Sequence, residues 1–164
     1  MGIAKTVLLV EAAIKVDPRT DPAVDPAVHA RAKAALAKAM YNLGTRTKYN
    51  DPECSYLMST VYFGRMDAAW LYPQNLLQWT DSMQERDPLE TLENVEVFVM
   101  ISMASMMLRG LGEMLQQYRN LATSWAPYAR QALAEKPGRL QAVEAEIASW
   151  HSAASAPQAT PSKA

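Results

Sequence analysis

The sequence predicts an all-α protein, a single-domain bundle of about six or seven helices around a buried Met-rich central helix. Residues 97–115 read VFVMISMASMMLRGLGEML and are almost wholly apolar up to Arg109. Apolar residues elsewhere recur at spacings of three and four, the period of a helix. Asp-Pro pairs recur where a helix is expected to begin, with aspartate as N-cap and proline at the first helical position.

The apolar stretch at residues 97–115 is expected to form the centre of the bundle. Ser102 and Ser105 are the only polar residues before Leu108, so apolar side chains surround the whole helical circumference. Such a helix must be covered on all sides by protein or by lipid. The apolar run of about 12 residues before Arg109 is shorter than the roughly 20 that cross a bilayer, so we expect no membrane span.

The first half of the chain is expected to contain three helices. Residues 3–16 place apolar side chains at helical spacing (Ile3, Val7, Val10 and Ile14). Three Asp-Pro pairs then predict an extended loop over residues 17–26, because proline denies a helix interior and restricts the residue before it. A second helix is expected over residues 26–49 and a third over residues 52–71, each beginning with Asp-Pro.

The second half of the chain is expected to contain a short amphipathic helix, the central helix and a final helix. The short helix covers residues 76–83. Asp87 and Pro88, with Glu90 three positions after the aspartate, predict that the central helix begins at Pro88. We expect the pattern to continue to residue 124 with a bend at the glycines 110 and 112, to be interrupted or kinked at Pro127, and to end at residues 136–138.

The final helix is predicted from Leu140, Val143, Ile147 and Trp150 at spacings of three, four and three. Residues 153–164 have no core-forming residue and are predicted to be a disordered tail. The helical domain is therefore expected over residues 1–152. No β-hairpin signal is present in the sequence.

Catalytic and metal-binding signatures are missing from the sequence. The only histidines, His29 and His151, lack the glutamate three positions before them that a di-iron bundle uses. Phosphate-binding glycine loops and nucleophile motifs are also absent, so we expect no cofactor and no metal. Cys54 lies in the first turn of a predicted helix, where the dipole could lower its pKa, but a packed thiol is the expected outcome.

The net charge and the cysteine content bear on the partners and the cellular compartment of the protein. The formal net charge is −1, which gives no overall attraction to nucleic acid or to anionic lipid. A single cysteine suits a reducing compartment, and no signal peptide is recognised, so we expect a cytoplasmic protein.

Two segments of opposite charge admit two interpretations. Residues 27–50 hold five basic residues and no acid, and residues 81–96 hold six acids against Arg86 alone. In the first interpretation the two segments contact each other. In the second the basic segment binds the phosphate groups of a nucleic acid, and Tyr41 and Tyr49 are available to stack on its bases. The candidate nucleic-acid-binding residues are Arg31, Lys38, Arg46 and Lys48.

The favoured functional prediction is a small helical adaptor or accessory subunit that acts through protein–protein binding and is oligomeric or part of a larger complex. Flexible methionine side chains are common at adaptable binding surfaces. The candidate partner-binding residues are Met100, Met103, Met106, Met107, Tyr62 and Trp70. The alternative is a nucleic-acid-associated accessory subunit using the basic helix of residues 27–50. An enzyme whose site is assembled from distant residues ranks third.

Overall fold

The computed structural model describes residues 2–64 and 73–152 and confirms an all-α architecture. The helices of this part are α1 (Gly2–Lys15), α2 (Pro26–Leu43), α3 (Pro52–Phe63), α4 (Leu76–Arg86), α5 (Val95–Leu115), α6 (Leu121–Ala134) and α7 (Arg139–Ser152). Two short strands, β1 (Thr45–Thr47) and β2 (Leu89–Leu92), pair antiparallel. The third helix is predicted to reach residue 71, but α3 ends at Phe63 and Gly64 is its C-cap. Residues 65–72 and the predicted tail at residues 153–164 lie outside the described residues.

The centre of the bundle is α1, which packs against α2, α3, α6 and α7. Its apolar residues from Val7 to Val10, together with Ala13, are 2% exposed or less. Glu11 is also buried and accepts hydrogen bonds from Lys15 and from Arg130 of α6. The core therefore forms around the first helix of the chain.

The prediction that the Met-rich helix is buried at the centre is wrong. In α5 only Phe98, Ser105, Arg109 and Gly112 are buried. Its inward side contains the serine and the arginine, which hydrogen-bond to α3, whereas most of its methionines face solvent. Residue type alone suggested a core helix, but the partners of the polar residues decide which side faces the bundle.

Two of the three predicted Asp-Pro helix starts are confirmed. The carboxylates of Asp25 and Asp51 each accept a hydrogen bond of 2.8 Å, from the N–H groups of Ala27 and Glu53. The third prediction is wrong, because Asp87 and Pro88 lead into β2 and α5 begins only at Val95. The carboxylate of Asp87 is instead bound by the distant N–H groups of Tyr49 and Asp51.

The prediction that α2 extends to residue 49 is also wrong, because the helix ends at Leu43. Gly44 adopts a left-handed conformation with φ of +104°, and its N–H bonds back to carbonyls of the last turn. A side chain here would also collide with Glu93, whose Cβ lies 2.5 Å from the position of an added Cβ. The chain then enters β1, where Thr45 pairs with Leu92 across a long stretch of sequence.

The predicted continuous helix to residue 124 is divided into α5 and α6. Gln116 closes α5 in a left-handed conformation, and Asn120 begins α6 by accepting a hydrogen bond from Thr123. Pro127 lies inside α6 without ending it, and the helix stops at Ala134, just before the predicted terminator. The predicted short amphipathic helix and the final helix are confirmed as α4 and α7.

Asp17 fixes the Asp-Pro loop to the core. Its carboxylate accepts hydrogen bonds from the guanidinium of Arg19 and a 2.6 Å hydrogen bond from the hydroxyl of Tyr56. The edge of the His29 ring packs on Tyr56, with the ring centroids 5.0 Å apart. Burial alone would raise the pKa of Asp17, but the hydrogen bonds from Arg19 and Tyr56 outweigh it and lower the pKa to about 2.

We expect the Asp17 carboxylate to make stability depend on pH in the acid range. Its pKa in the folded protein, about 2, is below the ordinary value of 3.8, so the folded state binds this proton less tightly. The stabilisation by the Asp17 carboxylate is complete at pH values above the ordinary pKa of 3.8. It is lost as the pH falls from 3.8 towards 2. Urea unfolding of the wild type and of the Asp17→Asn variant at several pH values tests this: the difference between them should shrink as the pH falls, and a constant difference would contradict it.

We expect Asp87→Ala to lower the free energy of unfolding by about 2 kcal/mol, because the substitution removes two hydrogen bonds to a buried carboxylate. Urea denaturation followed by circular dichroism measures the change. Glu85→Ala is the matched control, since Glu85 is an exposed acid in the last turn of α4, two residues before Asp87. Equal stability of the two variants would show that the carboxylate does not hold α4 to the loop before α3.

Candidate functional site

The outward side of α5 presents a continuous row of apolar side chains, here called the α5 stripe. Its members follow one another at spacings of three or four residues and are 50% to 81% exposed: Met100, Met103, Met107, Leu111 and Met114. The helix has 21 residues and is therefore about 31 Å long. A contiguous apolar surface of this kind on a folded protein is typical of an interaction site.

The orientation of α5 is set by polar contacts with the last turn of α3. The guanidinium of Arg109 donates a 2.7 Å hydrogen bond to the carbonyl of Val61, and the hydroxyl of Ser105 donates to the same oxygen at 3.4 Å. The last four carbonyls of a helix have no N–H donor within the helix, so they need hydrogen-bond donors from elsewhere. Because Ser105 and Arg109 face inward, the α5 stripe faces outward.

A pocket of about 350 Å³ lies beside α5 and is here called the methionine pocket. Four methionines from four different helices contribute to its wall: Met40, Met58, Met83 and Met103. Phe98, both strands of the sheet and further side chains of α3, α4 and α5 line the remainder. Met103 belongs to both the pocket and the α5 stripe, so the two apolar surfaces are continuous.

The methionine pocket has no cationic side chain among its described lining residues. Asp87 is the acidic residue in the wall, and its two carboxylate oxygens accept the N–H groups of Tyr49 and Asp51 at 2.8 Å. Burial raises the pKa of the Cys54 thiol to about 11, and the neighbouring charge of Asp51 acts in the same direction. The thiol is therefore neutral at physiological pH, which agrees with the packed cysteine expected from the sequence.

The predicted partner-binding residues occupy different environments. Three of them lie on the exposed α5 stripe (Met100, Met103 and Met107). Met106 is half-buried against Val61 and Trp79, and Tyr62 is half-buried while lining the methionine pocket. Trp70 lies outside the described residues. Sequence reasoning missed the pocket, whose walls come from segments far apart in the chain.

The predicted nucleic-acid-binding residues do not share one helix. Arg31 donates to the carbonyl of Trp150, with Nε at 2.7 Å. Arg46 lies in β1, stacks over the Tyr41 ring and forms a 3.1 Å ion pair with Glu93.

The basic and acidic segments therefore touch through Arg46 and Glu93. Lys38 and Lys48 are exposed, and the ammonium of Lys48 lies 5.3 Å from the centroid of the Tyr49 ring. Nucleic-acid binding by Arg31, Lys38, Arg46 and Lys48 stays a prediction.

Residues 2–64 and 73–152 contain no evident metal site and one helix that is long and apolar enough to span a membrane. No cluster of three or more His, Cys, Asp or Glu side chains that could hold a metal occurs in these ranges. Of the helices described there, α5 alone has the length and composition to cross a membrane. It also contains Glu96, Arg109 and Glu113, and one such helix does not define a clear membrane span.

No protein-family model, curated protein or solved structure matches the chain. The function of the α5 stripe must therefore be inferred from the exposure, spacing and charge of its own residues.

We expect Cys54 to react slowly with Ellman's reagent in the folded protein. A rise in pKa from the ordinary value of 9.0 to about 11 reduces the thiolate fraction at neutral pH about 100-fold, and burial slows access further. The same chain unfolded in guanidinium is the control and should react at the rate of a free thiol. Equally fast reaction of the folded protein would show that the first turn of α3 opens readily.

Proposed function

We propose that this protein is a small helical adaptor or accessory subunit that acts through protein–protein binding, and that the α5 stripe is its interface. The observation behind this proposal is the row of five Met and Leu side chains exposed by half or more along one helix. Burying a side chain of this size contributes roughly 1.5 to 3 kcal/mol, so covering the row favours association strongly. A partner helix provides such a cover along the whole length of α5.

The spacing of the stripe favours a second copy of this chain as the partner. Four members of the stripe, together with the adjacent exposed Gly110, follow one another at three, four, three and four residues, which is the repeat of a two-stranded coiled coil (Met100, Met103, Met107, Gly110 and Met114). Gly110 has no heavy atom within 4 Å of the position that a Cβ would occupy. The outward side of α5 therefore contains large side chains and an open gap at Gly110, which suits self-complementary packing.

Charge favours the antiparallel arrangement of the two helices. Glu96 is the exposed charged residue at the beginning of α5, while Arg109 is buried on the inward side. Parallel helices would bring the two Glu96 carboxylates together, which is unfavourable at an apolar interface. Antiparallel helices separate them by the length of the stripe, and in one antiparallel register Met100 of each copy fills the open space at Gly110 of the other.

We also propose that the protein is located in the cytoplasm. Cys54 is unpaired and buried, and a lone thiol is typical of proteins in reducing compartments.

We expect Met107→Glu to convert a dimer into a monomer of 18.2 kDa, because it puts a charge in the middle of the α5 stripe. Sedimentation equilibrium over a range of concentrations measures the mass. Tyr128→Glu is the matched control, since Tyr128 on α6 is 72% exposed and lies away from the stripe; this variant should remain dimeric. A wild-type protein that stays monomeric up to millimolar concentration would refute self-association.

A further inference from the structure

The methionine pocket has the size and enclosure of a site for a small molecule. Its volume of about 350 Å³ falls within the range of roughly 300 to 1,000 Å³ that ligand pockets occupy. Its walls come from α2, α3, α4, α5 and both strands. Such a pocket accepts a ligand between elements that are already held together by the fold.

We propose that the methionine pocket binds a small, uncharged, largely apolar molecule. The proposal concerns a different surface from self-association, because the α5 stripe contributes only Met103 to the pocket wall. It stands whether or not α5 pairs with a second copy.

The charges of the pocket wall disfavour an anionic ligand. Both oxygens of Asp87 are occupied by backbone N–H groups, and the side-chain carbonyl of Gln84 accepts a hydrogen bond from the Leu89 N–H. The other polar groups of the wall are hydroxyls and a neutral thiol. An anionic ligand would lose its hydration here without gaining a counter-ion, because the described lining residues include no Lys, Arg or His, and this loss is costly.

The sheet end of the pocket can recognise one polar group on the ligand. Thr45 belongs to the wall, and its buried hydroxyl has no hydrogen-bond partner in the described structure. The hydroxyl of Thr47 belongs to the same wall. Rotation of the Thr45 side chain about its Cα–Cβ bond lets a ligand hydroxyl or amide supply the missing hydrogen bond.

The methionines make the pocket adaptable in shape. A thioether side chain has three rotatable bonds and a polarisable sulfur, so it follows the outline of different apolar groups. The four methionines lie on four different helices and can adjust independently. We therefore expect selection by charge and size rather than by the detailed outline of the ligand.

The first test uses N-phenyl-1-naphthylamine, an uncharged apolar molecule whose fluorescence rises in an apolar site. We expect saturable binding at one site per chain and displacement by 1-decanol. Decanoate has the same chain with a carboxylate at its end, and we expect it to displace the probe at least about tenfold more weakly. Absence of saturable binding, or equal displacement by the alcohol and the carboxylate, would overturn the proposal.

The second test locates the bound probe with Ser102→Phe. Ser102 lines the pocket, and a phenyl ring there fills the space. We expect the affinity for the probe to fall at least about tenfold, since the ring and the probe cannot occupy one volume. Ala145→Phe, at an exposed position of α7, is the control and should bind like the wild type. Equal affinity of all three proteins would show that the probe binds elsewhere.

A third measurement needs no variant. In protein labelled with ¹³C at the methionine methyl groups, 1-decanol should shift the resonances of Met40, Met58 and Met83. The resonance of Met114, at the far end of α5, should not move. Shifts confined to the α5 stripe would place the alcohol on the open surface and overturn the proposal.

Discussion

The carbonyl of Val61 is the contact on which the arrangement of the apolar surfaces depends. It lies in the last turn of α3, and Arg109 and Ser105 of α5 donate hydrogen bonds to it. A buried carbonyl without a partner is unfavourable, and a buried guanidinium needs acceptors. The hydrogen bond between the Arg109 guanidinium and the Val61 carbonyl satisfies both groups, and it turns the polar side of α5 inward. The solvent-facing methionines are thus a consequence of hydrogen bonding, and the apolar surface they form is what a partner would cover.

Features that depend on neighbouring residues could be predicted from the sequence. Asp25 and Asp51 begin helices because the hydrogen-bond donors that they cap lie two residues ahead. Asp87 has the same local chemistry, with proline after it and glutamate three positions on, yet it begins no helix. Its carboxylate is held by backbone groups of the segment before α3, which are distant in sequence. No local pattern distinguishes these cases.

The candidate site could be predicted only in part for the same reason. The abundance of methionine pointed to Met100, Met103 and Met107, and these residues do form an exposed apolar surface. The burial of α5 was wrongly expected, because Arg109 looked like the end of an apolar run and is in fact an inward-facing anchor. The methionine pocket draws its walls from four helices and two strands, so no single stretch of sequence contains a signal for it.

The central position of α1 has a consequence for how the chain folds during synthesis. Helix α1 is synthesised before the other described helices, and its main packing partner, α6, is made more than a hundred residues after it. Until then Leu8, Leu9 and Val10 lack the part of their cover that α6 supplies. The growing chain therefore leaves an apolar segment partly uncovered while the intervening residues are made, and transiently exposed apolar surface of this kind is what chaperones bind.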